Sequence, residues 1–348
     1  MGAYRFCLAC LVVLVHTPGY GSHSPDLGLV AVYVFFFISC YLMPLAFERN
    51  YQFTSFDQRW QSYLINRALR IYPLYWVSLA AILGHGLLRG TNPTVNEVLA
   101  NPVSLLQNIV LLGLNQRSAW GDYTRLNIPA WTLDVELQYY LVVPLLIWGW
   151  TRSRRVAGAV IVTFGIVSGV LLAVPTSVVD IDRSLLAYAV LFLGGFLFYQ
   201  FGDHLPAPSW RQAVAAVVVG GCGALLLPRP LQNAALTAGL IVVACPLLTR
   251  QARGVSSSVD RMLGELSYPV YIFHAFVITV ATRLVSENLP LGLTGSPGLR
   301  VATLALINIL LVSVLAGGVL LLLERPLQRV RRRFRHVARY SPYPPGVA

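Results

Sequence analysis

Ten apolar runs divide the chain, and they constrain its fold more than any other feature. Each run is bounded by charged residues or by clusters of Pro and Gly, and a helix needs about 20 mostly apolar residues to cross the hydrocarbon core of a bilayer. The pattern predicts an all-α, polytopic membrane protein with about ten transmembrane helices. The predicted spans are residues 5–18, 28–47, 71–89, 135–150, 156–174, 184–201, 212–227, 233–248, 267–285 and 300–323.

The composition excludes soluble globules and disordered chains. Hydrophobic residues make up 56% of the 348-residue chain and charged residues only 11%, whereas an ordinary soluble domain has about 25% charged residues. A further apolar stretch, Val103 to Leu114, is too short to span and is predicted to be a re-entrant or interfacial segment. We therefore expect one membrane domain over residues 1–326 and a basic cytoplasmic tail over residues 327–348.

The arginines predict the orientation in the membrane. The chain has no lysine, and its 26 arginines against 14 acidic residues give a net charge of +12. In a soluble protein this balance suggests nucleic-acid binding. Here the arginines lie between apolar runs, so no nucleic-acid partner is expected. With the N-terminus in the cytoplasm, 19 arginines fall inside and seven outside, as the positive-inside rule requires, which predicts cytoplasmic termini.

Arg5 and His16 are the first candidate functional residues. Ionisable groups inside spans are costly and are therefore functional candidates by default. The two residues are 11 positions apart, and at about 100° per residue this spacing places both on one face of a helix. The rise between them is roughly 16 Å, which puts Arg5 at the cytoplasmic edge and His16 toward the outer side.

Arg67 and Arg70 form a second candidate site at the start of the third span. Residues three apart share a helix face. Two guanidinium groups at a membrane edge suit the binding of phosphate groups, because each planar fork binds two oxygens. Charge that merely sets the orientation of the span is the alternative interpretation of the pair.

Three further ionisable residues stand at or inside predicted spans. Glu136 begins the fourth span, Glu324 ends the last, and His274 lies in the ninth. The alternative interpretation of Glu324 is a helix end beside a basic tail. For His274, packing with one hydrogen bond is the favoured interpretation.

The sequence predicts no metal cofactor. It contains no HExxH zinc helix, no repeated CxxC pair with zinc spacing, no P-loop and no GxSxG nucleophile elbow. Ser39 lacks such an elbow and is expected to serve packing or positioning.

Together the motifs resemble acyltransferase family 3, the multi-span membrane O-acyltransferases of bacterial surface glycans. The resemblance runs from residue 5 to residue 326, with Cys40 where the family usually has Gly and Leu137 where a second acid is common. The matching segments, in order, are Arg5 with His16, the aromatic run Val34 to Leu42 with Ser39, Arg67-x-x-Arg70-Ile-x-Pro73-x-Tyr75-Trp76, Trp131 to Leu141 with Glu136, Ser267-Tyr-x-x-Tyr-x-x-His274, and Glu324-x-Pro326.

The resemblance implies transfer of an acyl group, acetyl above all, from acyl-CoA to a sugar hydroxyl during surface polysaccharide biosynthesis. The enzyme would lie in the bacterial inner membrane with acyl-CoA, a glycan or lipid-linked sugar and membrane lipid as its partners. His16 would be the general base or a transient acyl acceptor, since a histidine titrates near neutral pH.

The remaining candidates would assist His16 or bind the two substrates. Arg5 or Ser39 would stabilise the oxyanion, and Glu136 would orient the histidine or bind the acceptor. Donor binding is assigned to Arg67, Arg70, Tyr75 and Trp76, and acceptor binding or support to Ser39, Trp131, His274 and Glu324.

Two other functions remain open on the sequence. A transporter or flippase of glycan precursors also has about ten spans with buried ionisable groups, although no inverted repeat is evident. A structural protein of a glycan-assembly complex would use its Arg and His residues for topology only. Release of free CoA and the effect of alanine at His16 distinguish these functions from a transferase.

Overall fold

The computed structural model describes residues 1–21, 26–52, 55–90, 93–112, 125–173, 185–205, 208–254, 256–288 and 297–335. These residues form helices, and no strand occurs among them. The helices are α1 Gly2–His16, α2 Leu27–Asn50, α3 Phe56–Arg89, α4 Pro93–Ala100, α5 Pro102–Val110, α6 Ala130–Arg152, α7 Arg154–Ala173, α8 Ala189–Phe201, α9 Trp210–Leu226, α10 Arg229–Ala252, α11 Ser258–Asn288, α12 Pro297–Val319 and α13 Arg325–Arg332. A 3-10 turn, Gly202–His204, follows α8, and a π-helical turn, Leu320–Glu324, joins α12 to α13.

The all-helical, multi-span character that the apolar runs predict is confirmed. Within the described ranges, seven helices are long and apolar enough to cross a membrane. Helices α1, α8 and α9 match three more predicted spans but have only 15, 13 and 17 residues. The count of ten spans therefore stays a prediction. The seven are Leu27–Asn50, Phe56–Arg89, Ala130–Arg152, Arg154–Leu171, Leu231–Ala252, Ser258–Leu284 and Gly298–Arg332.

The stretch predicted to be re-entrant or interfacial forms the short helix α5, and another short helix, α4, precedes it. With nine and eight residues, both are too short to span a bilayer. Side chains of α3 hold α5 by its carbonyl groups: the Tyr75 hydroxyl donates to the Asn108 carbonyl at 2.6 Å, and the Trp76 indole N–H donates to that of Ile109 at 2.9 Å. The end of the stretch lies in residues 113–124, outside the described part of the chain.

Helices α1 and α11 pack side by side and run in the same direction. At one end, Asp260 accepts hydrogen bonds from the backbone N–H of Ala3 at 2.9 Å and from the amino group of Met1 at 3.0 Å. Gly2 packs there without room for a Cβ against the Asp260 carbonyl. At the other end, His16 lies against His274. Both contacts fix the register of α1 against α11.

Candidate active site

A large basic cavity lies at the end of the bundle where α1 and α11 begin. It encloses about 1070 Å³ of empty space, part of it open to solvent. Its walls come from α1, α3, α11 and the segment from the π turn into α13. Acidic groups of Asp260, Glu265 and Glu324 offset only part of its positive charge. The arginines that line it are Arg5, Arg70, Arg261, Arg331, Arg332 and Arg335.

An inner cavity of about 590 Å³, counted with its open part, continues from the basic cavity into the bundle. Arg5, Arg70 and Tyr268 line both cavities, so the two meet at these side chains. The size is in the range of small-molecule sites, and the wall combines apolar residues with a few polar groups, as in such sites. The other polar side chains that line it are Ser39, Thr132, Glu136, Tyr140, Ser267 and Tyr271.

Hydrogen bonds hold two groups of this wall in place. The Tyr140 hydroxyl donates to Glu136 Oε1 at 2.7 Å, one helical turn away. Thr132 donates its hydroxyl proton to the Pro129 carbonyl at 2.8 Å, so the Tyr271 hydroxyl, 2.9 Å from Thr132 Oγ1, donates to that oxygen. These bonds fix the Glu136 carboxylate and the Tyr271 ring before any ligand enters.

The two arginines of the predicted phosphate site face different surroundings. Arg70 faces the place where the cavities meet. Arg67 is only 8% exposed, and its guanidinium carbon lies 4.9 Å from the Tyr63 ring centroid and 5.4 Å from that of Tyr140. It lines neither cavity. Positions i and i+3 are separated by about 60° around a helix. Here this angle is enough to turn Arg67 toward the tyrosine rings and Arg70 toward the cavities.

His16 and His274 meet at the opposite end of α1 from the basic cavity. His16 is the last residue of α1 and is exposed, whereas His274 is 1% exposed. Their ring centroids are 4.9 Å apart. Neither ring lines the two cavities, but the Tyr271 ring, which lines the inner cavity, lies 5.8 Å from that of His274. A row of three rings thus leads from the inner cavity to His16.

The other predicted site residues fall into two sets. Ser39 lines the inner cavity and Glu324 the basic cavity. Tyr75 and Trp76, predicted to bind the donor, instead attach α5 to α3. Trp131 packs edge-on against Phe36, with ring centroids 6.3 Å apart, immediately before Thr132.

Arg331 is a site residue that the sequence did not predict, because the basic tail was interpreted as a topology signal. It is 6% exposed and binds Glu324 Oε1 at 2.7 Å and Asn66 Oδ1 at 3.1 Å, while Asn66 donates back to the Arg331 carbonyl at 2.7 Å. The spacing of seven residues from Glu324 places both side chains on one face of a helix, which was a usable signal. Residues 336–348 of the predicted tail lie outside the described part.

No group of three or more His, Cys, Asp or Glu side chains that could hold a metal ion occurs in the part of the chain that the structure describes.

Comparisons with known proteins agree with the motif-based resemblance. The family profile described as "Acyltransferase domain" matches residues 3–323. The exopolysaccharide production protein ExoZ of Rhizobium meliloti is 27% identical over 93% of this chain and 97% of its own length. The acyltransferase MdmB of Streptomyces mycarofaciens is 26% identical over 91% and 85%, and nodulation protein 10 of Rhizobium leguminosarum is 24% identical over 79% and 81%. No solved structure matches the chain significantly.

Proposed function

The chain belongs to the acyltransferase domain family and is a multi-pass membrane acyltransferase, and from that premise we propose that it moves an acyl group, acetyl above all, from acyl-CoA to a sugar hydroxyl of a surface or exported glycan. One observation carries this proposal: an arginine-lined cavity opens into a second cavity inside the bundle, on the side of α1 that leads to His16. An anionic donor that is charged at one end and reactive at the other fits this arrangement.

The basic cavity supplies the donor's phosphate site. Acyl-CoA carries its phosphates at one end, and guanidinium groups bind phosphate oxygens through two parallel hydrogen bonds. Arg5 and Arg70 are the central groups, because both lie where the two cavities meet. Arg332 and Arg335 are exposed at the cavity mouth, where they attract an anion from the aqueous phase. The positive-inside distribution of arginine supports a mouth that faces the bacterial cytoplasm, where acyl-CoA is made.

The inner cavity takes the acyl-bearing arm. The arm extends from the phosphates toward His16, a rise of roughly 16 Å along α1 from Arg5. Ser39 lines this route and is the donor proposed for the oxyanion that forms at the thioester carbonyl, whereas Arg5, at the basic end of α1, contacts the donor's phosphates. Glu136, fixed by Tyr140, binds a hydroxyl of the acceptor or the amide groups of the arm.

His16 takes the proton in the chemical step. Its Nδ1 lies 2.8 Å from the Val12 carbonyl, which only accepts hydrogen bonds, so Nδ1 carries the ring proton and Nε2 keeps its lone pair. The acceptor oxygen attacks the thioester carbon and gives its proton to Nε2, the carbon–sulfur bond breaks, and the CoA thiolate leaves and then takes the proton. In the two-step variant, Nε2 itself accepts the acyl group before the sugar oxygen does.

The relatives indicate the class of acceptor. The names of two of them refer to exopolysaccharide production and to nodulation. His16 is exposed at the end of the bundle opposite the basic cavity, where a glycan outside the hydrocarbon core can reach it. This placement supports an acceptor presented at the outer surface, with both termini of the protein in the cytoplasm.

Mass spectrometry of surface glycans tests the proposal, with strains that carry the intact gene, no gene, or the gene with His16→Asn. We expect a mass increment of one acyl group per modified sugar only with the intact gene. Purified membranes supplied with acyl-CoA and the isolated glycan should release free CoA in proportion. Glycans of equal mass in all three strains contradict acyl transfer, and glycan export without CoA release indicates a flippase instead.

A further inference from the structure

His274 has a buried nitrogen that no other described residue hydrogen-bonds. Its Nδ1 lies 2.6 Å from the Tyr271 carbonyl, and that acceptor assigns the ring proton to Nδ1. Its Nε2 is therefore a lone-pair acceptor, and it has no partner within the described part of the chain although the side chain is 1% exposed. An unpaired buried polar atom lowers stability, and a residue selected only for packing would have an apolar side chain here. This lone pair is available for a step of the reaction.

The neighbour that can use this lone pair is His16. The two ring centroids lie 4.9 Å apart with the ring planes tilted by 58°. As neutral rings with Nδ1 bound to carbonyl groups, both present only acceptor nitrogens at Nε2, so no hydrogen bond joins them. Protonation of His16 changes this, because the imidazolium has a second N–H to donate. Since His16 is exposed, little packing opposes a turn of its ring toward His274.

We propose that His274 is a positioning residue for acyl transfer: its Nε2 accepts a hydrogen bond from the protonated ring of His16. This bond holds the imidazolium after the acceptor hydroxyl has given its proton to Nε2 of His16, and the ring then turns back from His274 so that Nε2 releases that proton to the CoA thiolate. His274 itself stays neutral, because its burial disfavours a second positive charge beside His16. The inference rests on the proposed function of His16 as the proton acceptor.

The surroundings of His274 suit a fixed acceptor. The Tyr271 carbonyl holds its Nδ1, and the Tyr271 hydroxyl is in turn bound to Thr132 on α6. The ring is therefore anchored from α6 through α11 and does not need to move when His16 changes its charge. Such support from a second layer of contacts is what keeps a reacting group within productive geometry.

Three substitutions test the role of His274. Gln can place an acceptor oxygen close to the position of Nε2, Asn is too short to reach it, and Phe fills the space without an acceptor. The protein is purified in lipid nanodiscs, and kcat and KM are measured with acetyl-CoA and the isolated glycan. We expect His274→Phe and His274→Asn to lower kcat about 10- to 100-fold with little change in either KM, because a hydrogen bond to a charged group is lost. His274→Gln should stay within about threefold of the wild-type kcat.

Several outcomes would overturn the inference. A wild-type kcat in the Phe variant shows that no hydrogen bond from His274 is needed. Equal losses for Gln and Asn show that accepting a bond is not its role, and a rise in KM at unchanged kcat assigns it to binding. If Phe prevents folding, the comparison of Gln with Asn still decides. Absence of acyl transfer by the wild-type enzyme would instead contradict the proposed function, and this outcome is distinct from a failure of the inference about His274.

Discussion

The two ends of helix α1 differ in the chemistry that surrounds them. Around Arg5 the wall is charged and wide, with arginines from four parts of the chain facing a cavity of about 1070 Å³. Around His16 the neighbours are neutral and close: an imidazole, a threonine and backbone carbonyls. The difference supports the proposal that an anionic donor is recognised at one end of this helix and that the proton is transferred at the other. A donor that joins them must be long and charged at one end only.

A second contrast lies within the Arg67-x-x-Arg70 motif at the charged end. Arg70 faces the cavities, whereas the Arg67 guanidinium lies over the rings of Tyr63 and Tyr140. The pair was predicted to bind phosphates together. The structure supports that role for Arg70 and gives Arg67 the features of a residue that holds α3 against α6, so variants of the two should behave differently.

The largest effect is expected at the neutral end. Asn has nearly the size of His and forms hydrogen bonds but cannot accept a proton near neutral pH, so His16→Asn should fold and bind acyl-CoA nearly normally. Its kcat should fall by at least about 100-fold, since general bases contribute about 10²–10⁴-fold. Steady-state kinetics in nanodiscs measures this. His85→Asn, which changes a histidine on α3 outside both cavities, is the matched control. Near wild-type kcat in His16→Asn would place the catalytic base elsewhere.

The next effect concerns donor binding at Arg70. Loss of a charge-assisted hydrogen bond costs about 1.5–3 kcal/mol, so Arg70→Ala should weaken acyl-CoA binding by that amount. Arg70→Lys should also weaken it, because lysine keeps the charge but loses the two-pronged geometry. Equilibrium binding of radiolabelled acyl-CoA reports both. Arg211→Ala removes one positive charge near the same end but outside the cavity, and its affinity should match the wild type. Unchanged acyl-CoA affinity in both Arg70 variants would show that this residue only sets the orientation of α3 in the membrane.

Arg67 should show a smaller effect, on stability more than on affinity. Arg67→Lys removes the planar group that stacks on two tyrosines, and cation–π contacts away from water contribute about 2 kcal/mol. We expect a loss of about 1–2 kcal/mol of stability, seen as a lower thermal midpoint in detergent. The acyl-CoA affinity should change less than in Arg70→Lys. If Arg67→Lys loses more acyl-CoA affinity than Arg70→Lys and keeps the wild-type thermal midpoint, Arg67 binds phosphate as the sequence predicts.

The smallest effect on activity is expected from single cysteine substitutions, which report the side of the membrane on which each end of the helix bundle lies. In a variant without the five native cysteines, Asn96→Cys and Arg329→Cys replace exposed residues outside both cavities and should stay active. A thiol reagent that cannot cross membranes should label the Asn96 position from outside the cell and the Arg329 position only after the membrane is opened. Labelling of both positions from outside would contradict the predicted orientation.

Much of the fold follows from the sequence alone. An apolar run in lipid must satisfy its backbone hydrogen bonds internally, so composition and run length determine helices at nearly the predicted places. The helical period likewise places Arg5 and His16 on one side of α1; in the structure Arg5 lines both cavities and His16 lies against His274 of α11. The order of the motifs identified the family, which the comparisons confirm.

Only the tertiary structure decided which side chains work together. His16 and His274 are 258 positions apart, and no pattern within either helix indicates that α1 and α11 pack in parallel with their rings in contact. Arg67 and Arg70 look equivalent in sequence until Tyr63 and Tyr140 enclose one of them. Arg331 becomes part of a cavity wall because α13 packs against α3, where Asn66 binds both its guanidinium and its carbonyl. Local periodicity determines the face of a helix, but the neighbour that meets this face depends on how the helices pack across the whole chain.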